Sequence, residues 1–377
     1  MHHETQVEII QRILDHVRAR TTDLAGASHR QPTSAYHCPD RHRRELERVL
    51  RRQPILVCHA SRVAEPGSYV ALDVHGVPVI VARDRDGRLA ALLNVCRHRG
   101  ARVVAEARGR AKCFVCPYHA WTYDPGGALL HVPHEHGFAE LERSGRDLVA
   151  IPVAERHGCV WLCCDPASPL DVDAHLGSLG PELAGLALER HVVHEEYEQP
   201  TAMSWKLVID SFLEAYHIRS THRDTFYRAV FDNLALHDHY GPHSRTIYPL
   251  RKIRALEEQG ATTWELRRVA SLIYHLFPST IIAVEPYHVA IFDVQPVDAG
   301  RSRIRVTVLV DPAQQGRTER VLEDIALLKA GLVEDYAIGE SIQAGFAAGA
   351  NQWFHFGLFE GTLAHFHRTI DAALAAP

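Results

Sequence analysis

The chain has 377 residues, a formal net charge of −5 at pH 7 and 46% apolar residues, which allows two or three domains with sizeable cores. No basic run with interleaved aromatics points to nucleic acid, and no apolar run is long enough to span a membrane. Met1-His2-His3-Glu4 leads straight into a charged amphipathic segment rather than a signal peptide, so a cytoplasmic protein is expected.

Val7, Ile10, Leu14 and Val17 recur at helical spacing and predict an amphipathic helix over 5–20. Residues 23–33 are small or polar and loop-like, and Pro39-Asp40 opens a second helix over about 40–52. Residues 1–53 are therefore expected as a helical segment packing on the domain formed by 166–377.

From Pro54 to Asp165 the pattern changes to short strands. Residues 69–74 end in a His75-Gly76 turn, 79–82 run into the hairpin dipeptide Asp86-Gly87, and 89–93 lead into Asn94-Val95-Cys96-Arg97-His98. Cys116-Pro117-Tyr118-His119 follows after a gap of seventeen residues, then Trp121-Thr122-Tyr123, a Pro125-Gly126-Gly127 turn, Leu129-Leu130 and a last strand over 160–162. A small antiparallel β domain over 54–165, with two loops at one tip, is the natural reading.

Those loops carry C-x-H and C-x-x-H. Two thiolates and two imidazoles can hold a metal centre. Zinc is the plain alternative, since Cys113 and Cys116 form C-x-x-C beside His119. Zinc leaves Tyr118, Trp121 and the second constellation below unexplained, and Cys113 also reads as a small buried hydrophobe. The pattern resembles a Rieske [2Fe–2S] site, in which two Cys bind one iron and two His the other. Neutral imidazoles leave such a cluster less negative and raise its potential to roughly −150 to +300 mV, against about −400 mV for an all-Cys plant-type cluster. Eight cysteines, two of them ligands, fit a reducing compartment.

In 166–377, residues 191–199 read as a strand and 205–217 as a helix beginning Trp205-Lys206-Leu207. Strands follow at 271–277, 281–284, 289–294 and 304–310, then a long helix from about 318 to 345 and a final helical stretch within 354–368. This predicts an α+β domain: an antiparallel sheet with helices on one side.

Glu214, His217 and His222 lie within nine residues. Glu214 and His217 share a helical face. His217 and His222 are five apart, about 140° around a regular helix, so a π-bulge or break between them is expected if both bind one ion. A carboxylate from the C-terminal helix would complete a 2-His-1-carboxylate face with positions open for O₂. Asp335 and Glu340 are both candidates, and spacing alone does not choose.

Together, the two Cys/His loops, Trp205-Lys206-Leu207, Glu214-Ala215-Tyr216-His217 and His222 resemble the α subunit of Rieske non-haem iron ring-hydroxylating oxygenases, from about residue 36 onward. The choice of Glu214 and the region 334–366 look more like the α-only branch of monooxygenases and demethylases. The resemblance implies a Rieske domain plus a helix-grip catalytic domain, a cluster on Cys96, His98, Cys116 and His119, and a mononuclear Fe(II) on His217, His222 and Asp335. It implies that Glu214 bridges a cluster His and an iron His across a subunit boundary, in a homotrimer. Many members carry Glu-Asn where this chain has Asp210-Ser211. O₂ is the implied co-substrate. No G-x-G-x-x-G fingerprint follows a strand, so NAD(P)H would act through a separate reductase, with or without a ferredoxin. The competing reading is a Rieske electron-transfer protein without the second iron. The substrate, a small organic molecule, stays open; Phe226, Tyr227, Phe231, Trp264, Tyr274 and Phe277 can line its pocket or fill the core.

Overall fold

Alternation of apolar side chains along residues 68–93 places them on both faces of a sheet, and both faces are covered. In the computed structural model, which describes residues 1–138 and 140–376, this sheet belongs to the first of two compact units, Arg51–His175. Its five antiparallel strands run in the order Ala150–Ile151, Leu89–Leu93, Val77–Arg83, Ser68–Val74, Arg108–Arg110. The Val74–Val77 hairpin closes through His75 and Gly76, both at positive φ (49° and 76°), the two-residue turn that matches strand twist. Val79, Val81 and Ala91 pack with Val57, Val160 and Leu162. Ile80 and Leu92 point the other way, onto Phe114, Trp121, Tyr123, Cys96 and Cys116. The two cysteines are thus part of a core, and the loops that carry them rest on it.

The second unit comprises Met1–Leu50 and Leu176–Pro377, so the boundary falls after His175 rather than after Asp165. It is built on a seven-stranded antiparallel sheet: β1 (Val192–Thr201), β2 (Leu236–Tyr240), β3 (His243–Pro249), β4 (Ala270–Leu276), β5 (Thr280–Val284), β6 (Val289–Asp298) and β7 (Arg301–Val310), in the order β1-β7-β6-β5-β4-β3-β2. Ile273, Ile281, Phe292, Ile304, Val306 and Val308 pack in one core with Val321, Ile325, Leu328 and Leu332 of the helix Thr318–Gly345 and with Trp205, Val208 and Ile209. The α+β architecture follows from this packing. The N-terminal helix His3–Ala19 buries Ile9, Ile10, Ile13 and Leu14 within the same unit.

Two strands, β2 and β3, depart from the sequence reading. Their composition is polar, with His237, Asp238 and His239 in one and Arg245 in the other. Arg245 is buried, its Nη1 reaches both Glu182 carboxylate oxygens (2.5 and 2.6 Å), and its Nη2 donates to Asp238 at 2.9 Å. Ion pairing takes the place that apolar alternation would hold.

The helix expected over 205–217 ends at Asp210. Ser211 Oγ turns back to Val208 O at 2.9 Å, a contact that competes with continuing the helix. Asp210 accepts from the Tyr36 hydroxyl at 2.6 Å and pairs with His367 Nε2 at 3.1 Å. Tyr248 Oη, 2.8 Å from Phe212 O and 3.1 Å from Glu214 O, holds the irregular segment that follows.

Candidate metal centres

The two Cys/His loops fold by the same local rule. Cys96 N donates to Ala101 O and Gly100 N to Cys96 O; Cys116 N donates to Trp121 O and Ala120 N to Cys116 O, all at 2.8–2.9 Å. Each turn needs a left-handed residue, Gly100 (φ 80°) in the first and Ala120 (φ 56°) in the second. Asn94 braces the first loop: its side chain accepts from Val103 N and Val104 N at 2.9 Å and donates to Val104 O at 2.7 Å. The result is two buried sulfurs beneath two imidazoles nearer solvent. The rings of His98 and His119 lie 4.6 Å apart between centroids, and His98 stacks on Trp121 at 5.0 Å.

Donor chemistry fits a cluster. His98 Nδ1 is buried with no hydrogen-bond partner. Burial pushes the Cys116 thiol up, with Cys96 bonded to it, so the thiolates a cluster needs require a metal's charge. Tyr123 Oη lies 3.4 Å from Cys96 Sγ and accepts from Arg97 N at 3.0 Å, a contact of the kind that tunes cluster potential. Cys113, just before the short strand Phe114–Val115, is only partly buried.

In the second unit His217, His222 and Asp335 offer ligand atoms that all lie within 4.8 Å of one another. Of the π-bulge or helix break expected between them, neither lies within 218–221, and the break comes at His222 itself. His217 and His222 cap the two ends of a single α-helical turn, Ile218–Thr221, and the chain leaves helical geometry at His222 (φ −101°, ψ 32°). Their Nε2 atoms are 3.2 Å apart, and Asp335 Oδ1 is 3.0 Å from His222 Nε2 and 3.5 Å from His217 Nε2. Each Nδ1 faces a carboxylate: Glu214 Oε1 for His217, and Glu334 Oε2 at 2.8 Å for His222. With Nδ1–H donating to those carboxylates, the neutral rings aim both Nε2 lone pairs at each other and at Asp335. Only a proton or a metal cation relieves that arrangement, and carboxylate–histidine–metal triads are built this way.

Electrostatics agree. Burial opposes charging the rings, but Glu214, Asp335 and Glu360 hold His217 up to about 9, and Asp335 and Glu334 raise His222. Glu340 is elsewhere: its Oε1 accepts from Thr201 Oγ1 and Ala202 N, both at 2.9 Å. Of the two carboxylates the sequence left open, Asp335 is the one brought to the histidines. Glu214 keeps its second oxygen on the backbone N–H groups of Tyr216 and His217.

Glu334 was missed by sequence reasoning. A neighbour of Asp335 points about 100° away around the helix, and only the geometry of His222 shows that both carboxylates reach one ring. Gly331 and Gly339 were missed too. They stand one turn either side of Asp335, where a Cβ would meet the Phe226 ring and the Met203 side chain. Their spacing about Asp335 was the readable signal.

A cavity with about 580 Å³ of atom-free space, its mouth included, adjoins the triad and is lined by Phe212, Ile218, Phe226, Val230, Ile273 and Leu328 among others. Ser211 lines it as well. Of the six aromatics the sequence offered for a pocket, Phe226 lines it, while Phe231, Trp264, Tyr274 and Phe277 are buried residues outside its lining.

Residues 53–144 match the family model described as the Rieske [2Fe-2S] domain. Residues 188–376, half of the chain, match that of the ring hydroxylating alpha subunit (catalytic domain), and the chain belongs to that family. It is 33% identical over 192 residues to the chlorobenzene dioxygenase subunit alpha of Cupriavidus sp. (strain PS12), covering 49% of this chain and 42% of that protein. It is 32% identical over 181 residues to the carnitine monooxygenase oxygenase subunit of Escherichia coli (strain K12), covering 47% of this chain and 48% of the relative. The chain thus spans less than half the length of these curated relatives. Its fold is that of the quaternary ammonium Rieske monooxygenase CntA (TM-score 0.79, 22% identity, 93% of this chain and 95% of that one). It is also that of naphthalene 1,2-dioxygenase from Rhodococcus sp. (TM-score 0.76, 20% identity, 98% and 99%).

Proposed function

We propose that the chain is the terminal oxygenase component of a Rieske system, an oxidoreductase in which Cys96, His98, Cys116 and His119 hold the [2Fe–2S] cluster and His217, His222 and Asp335 hold a mononuclear Fe(II). One observation carries this reading: two imidazole lone pairs and a carboxylate oxygen converge at the wall of a largely apolar cavity. When bound, the iron supplies coordination positions for O₂ and the cluster supplies electrons one at a time. The chain's own residues do the rest. Glu214 and Glu334 hold the Nδ1 protons, so both rings keep their Nε2 atoms on the ion. Phe212, Ile218, Phe226 and Leu328 exclude water and hold a carbon skeleton against the site. Asp335 is anchored on a 28-residue helix that two glycines allow to approach closely.

The reaction is hydroxylation of a small organic substrate. It is aromatic ring hydroxylation where a ring lies at the iron, or oxidative demethylation, with the methyl leaving as formaldehyde, where the carbon attacked adjoins N or O. The names of the relatives span both dioxygenase and monooxygenase outcomes. Electrons come from NAD(P)H through a separate reductase, directly or by way of a ferredoxin. No helix among the described residues is long and apolar enough to cross a membrane, and we place the protein in the cytoplasm.

We assign a cyclic homotrimer, in which Glu214 of one chain serves the cluster of its neighbour, because a heterologous contact closes most simply as a ring. The test mixes two inactive chains before reassembly: His119→Ala, lacking the cluster, and His217→Ala, lacking the mononuclear iron. Mixed rings should recover part of the O₂- and reductase-dependent turnover. Mixtures as inactive as either parent would rule out electron transfer between chains.

A further inference from the structure

The cavity beside the histidines has a second polar end that the proposed chemistry does not use. Ser271 on β4 and Glu285, which follows β5, both line it, and Ser271 Oγ donates to Glu285 Oε2 at 2.5 Å. The strands place them together, since Leu272 pairs with Val284 in the ladder. Three carboxylates line this cavity. Glu214 and Asp335 face the histidines. Glu285 takes a single hydrogen bond, from a neutral hydroxyl, although a carboxylate can accept about four.

Among the described residues no cationic side chain hydrogen-bonds the Glu285 carboxylate, although Arg267 and His288 lie near enough to favour its charge. Arg267 directs its guanidinium at the main-chain carbonyls of Glu285 and His288, at 2.8 and 3.1 Å. His288 is bonded to Asp324 at 2.9 Å. Burial, and then the Asp324 carboxylate, push the Glu285 pKa up. A carboxylate left this short of donors among apolar walls is costly unless something pairs with it.

We propose that Glu285 selects the substrate by accepting a cationic ammonium group in the cavity that adjoins the metal triad. This rests on the oxygenase reading and narrows its substrate class to compounds with a positively charged nitrogen. A neighbouring cavity shares Phe226, Val230, Ser271, Glu285 and Leu328 with the first and reaches Arg228, Arg251 and Lys252. Those cations favour the opposite choice, an anionic ligand, so the test sets the two against each other.

The probes are three molecules of nearly one shape: choline, its neutral carbon isostere 3,3-dimethylbutan-1-ol, and the anion 3,3-dimethylbutanoate. Binding is measured by titration calorimetry on the purified full chain, as isolated and again after a chelator has removed the mononuclear metal. Choline should bind about tenfold or more tighter than the alcohol through charge attraction alone, since its trimethylammonium has no N–H to donate, and the anion should bind weakest. Glu285→Gln should erase the preference for the cation and leave affinity for the alcohol unchanged. Equal binding of cation and alcohol, tighter binding of the anion, binding of none of the three, or a preference that survives Glu285→Gln would each overturn the assignment. The wild-type ranking can do so by itself, so the test survives a variant that fails to fold. Because the ranking is also read without the metal, a failure of the iron assignment is seen separately, in metal content.

Discussion

Glu334→Gln isolates what a carboxylate behind His222, proposed above as an iron ligand, contributes. Glu334 Oε2 takes His222 Nδ1 at 2.8 Å and the Thr225 hydroxyl at 2.6 Å. Glutamine keeps the shape but not the charge that fixes the tautomer and strengthens Nε2 as a donor. Loss of such a partner costs about 10–100-fold in metal affinity. The Glu334 side chain is 29% exposed, so solvent screens its charge, and the effect should sit near the low end, about tenfold or ~1.4 kcal/mol. The Glu214 side chain is 13% exposed and bonds to His217 Nδ1 and two backbone N–H groups. Glu214→Gln should therefore approach about 100-fold, ~2.7 kcal/mol. Fe(II) competition against a chromophoric chelator, on protein with its cluster intact, measures both. Wild-type affinity in Glu334→Gln, or a larger loss there than in Glu214→Gln, would refute the reasoning.

Glu45 is buried and receives Lys206 Nζ, Trp205 Nε1 (3.2 Å) and Arg41 Nε (2.8 Å), so Glu45→Ala strands a buried ammonium and should cost about 3–5 kcal/mol in denaturant unfolding. A loss under ~1 kcal/mol would show that the pair is not held as described. Tyr123→Phe removes the hydroxyl beside Cys96 Sγ and should lower the cluster's midpoint potential in an EPR redox titration; an unchanged or higher potential contradicts that role. In protein stripped of the mononuclear metal, folding raises His217 to about 9, so its charge stabilises fully below the unfolded value near 6.5 and is lost as pH rises through 9. The melting temperature of that form should fall across this window, and Fe(II) affinity should rise as the competing proton leaves; a flat melting temperature would deny the ionic grip of Glu214.

The cluster loops were legible because their chemistry is local: two Cys and two His stand on two short turns, and Gly100 marks one of the left-handed positions. Ala120 takes the same conformation with no sequence signal, because the hydrogen bonds of its turn impose it. The early end of the helix at Asp210 was hidden because the local contact of Ser211 with Val208 is only part of its cause, and the rest is tertiary: Tyr36 and His367 on Asp210, and Tyr248 on the segment beyond. β2 and β3 were hidden because their buried side chains include an arginine, satisfied by Asp238 across the hairpin and by Glu182, 63 residues before it. For the proposed third ligand, spacing narrowed the choice to Asp335 or Glu340 and the resemblance implied Asp335; Glu340 instead bonds Thr201 and Ala202 at the strand end. Glu334, Ser271 and Glu285 carried no pattern: the pairing register of two strands sets Ser271 beside Glu285, and the folding of the His222 segment against the long helix sets the partners of Glu334.

Iron and acid-labile sulfide per chain, measured in the wild type, Asp335→Ala and Glu340→Ala, test the two-centre account most directly. The wild type should hold three irons, two of them in the cluster. Asp335→Ala should lose one iron and no sulfide, and Glu340→Ala should keep all three. Full iron in Asp335→Ala, or loss of the third iron in Glu340→Ala, would contradict the site described for this chain.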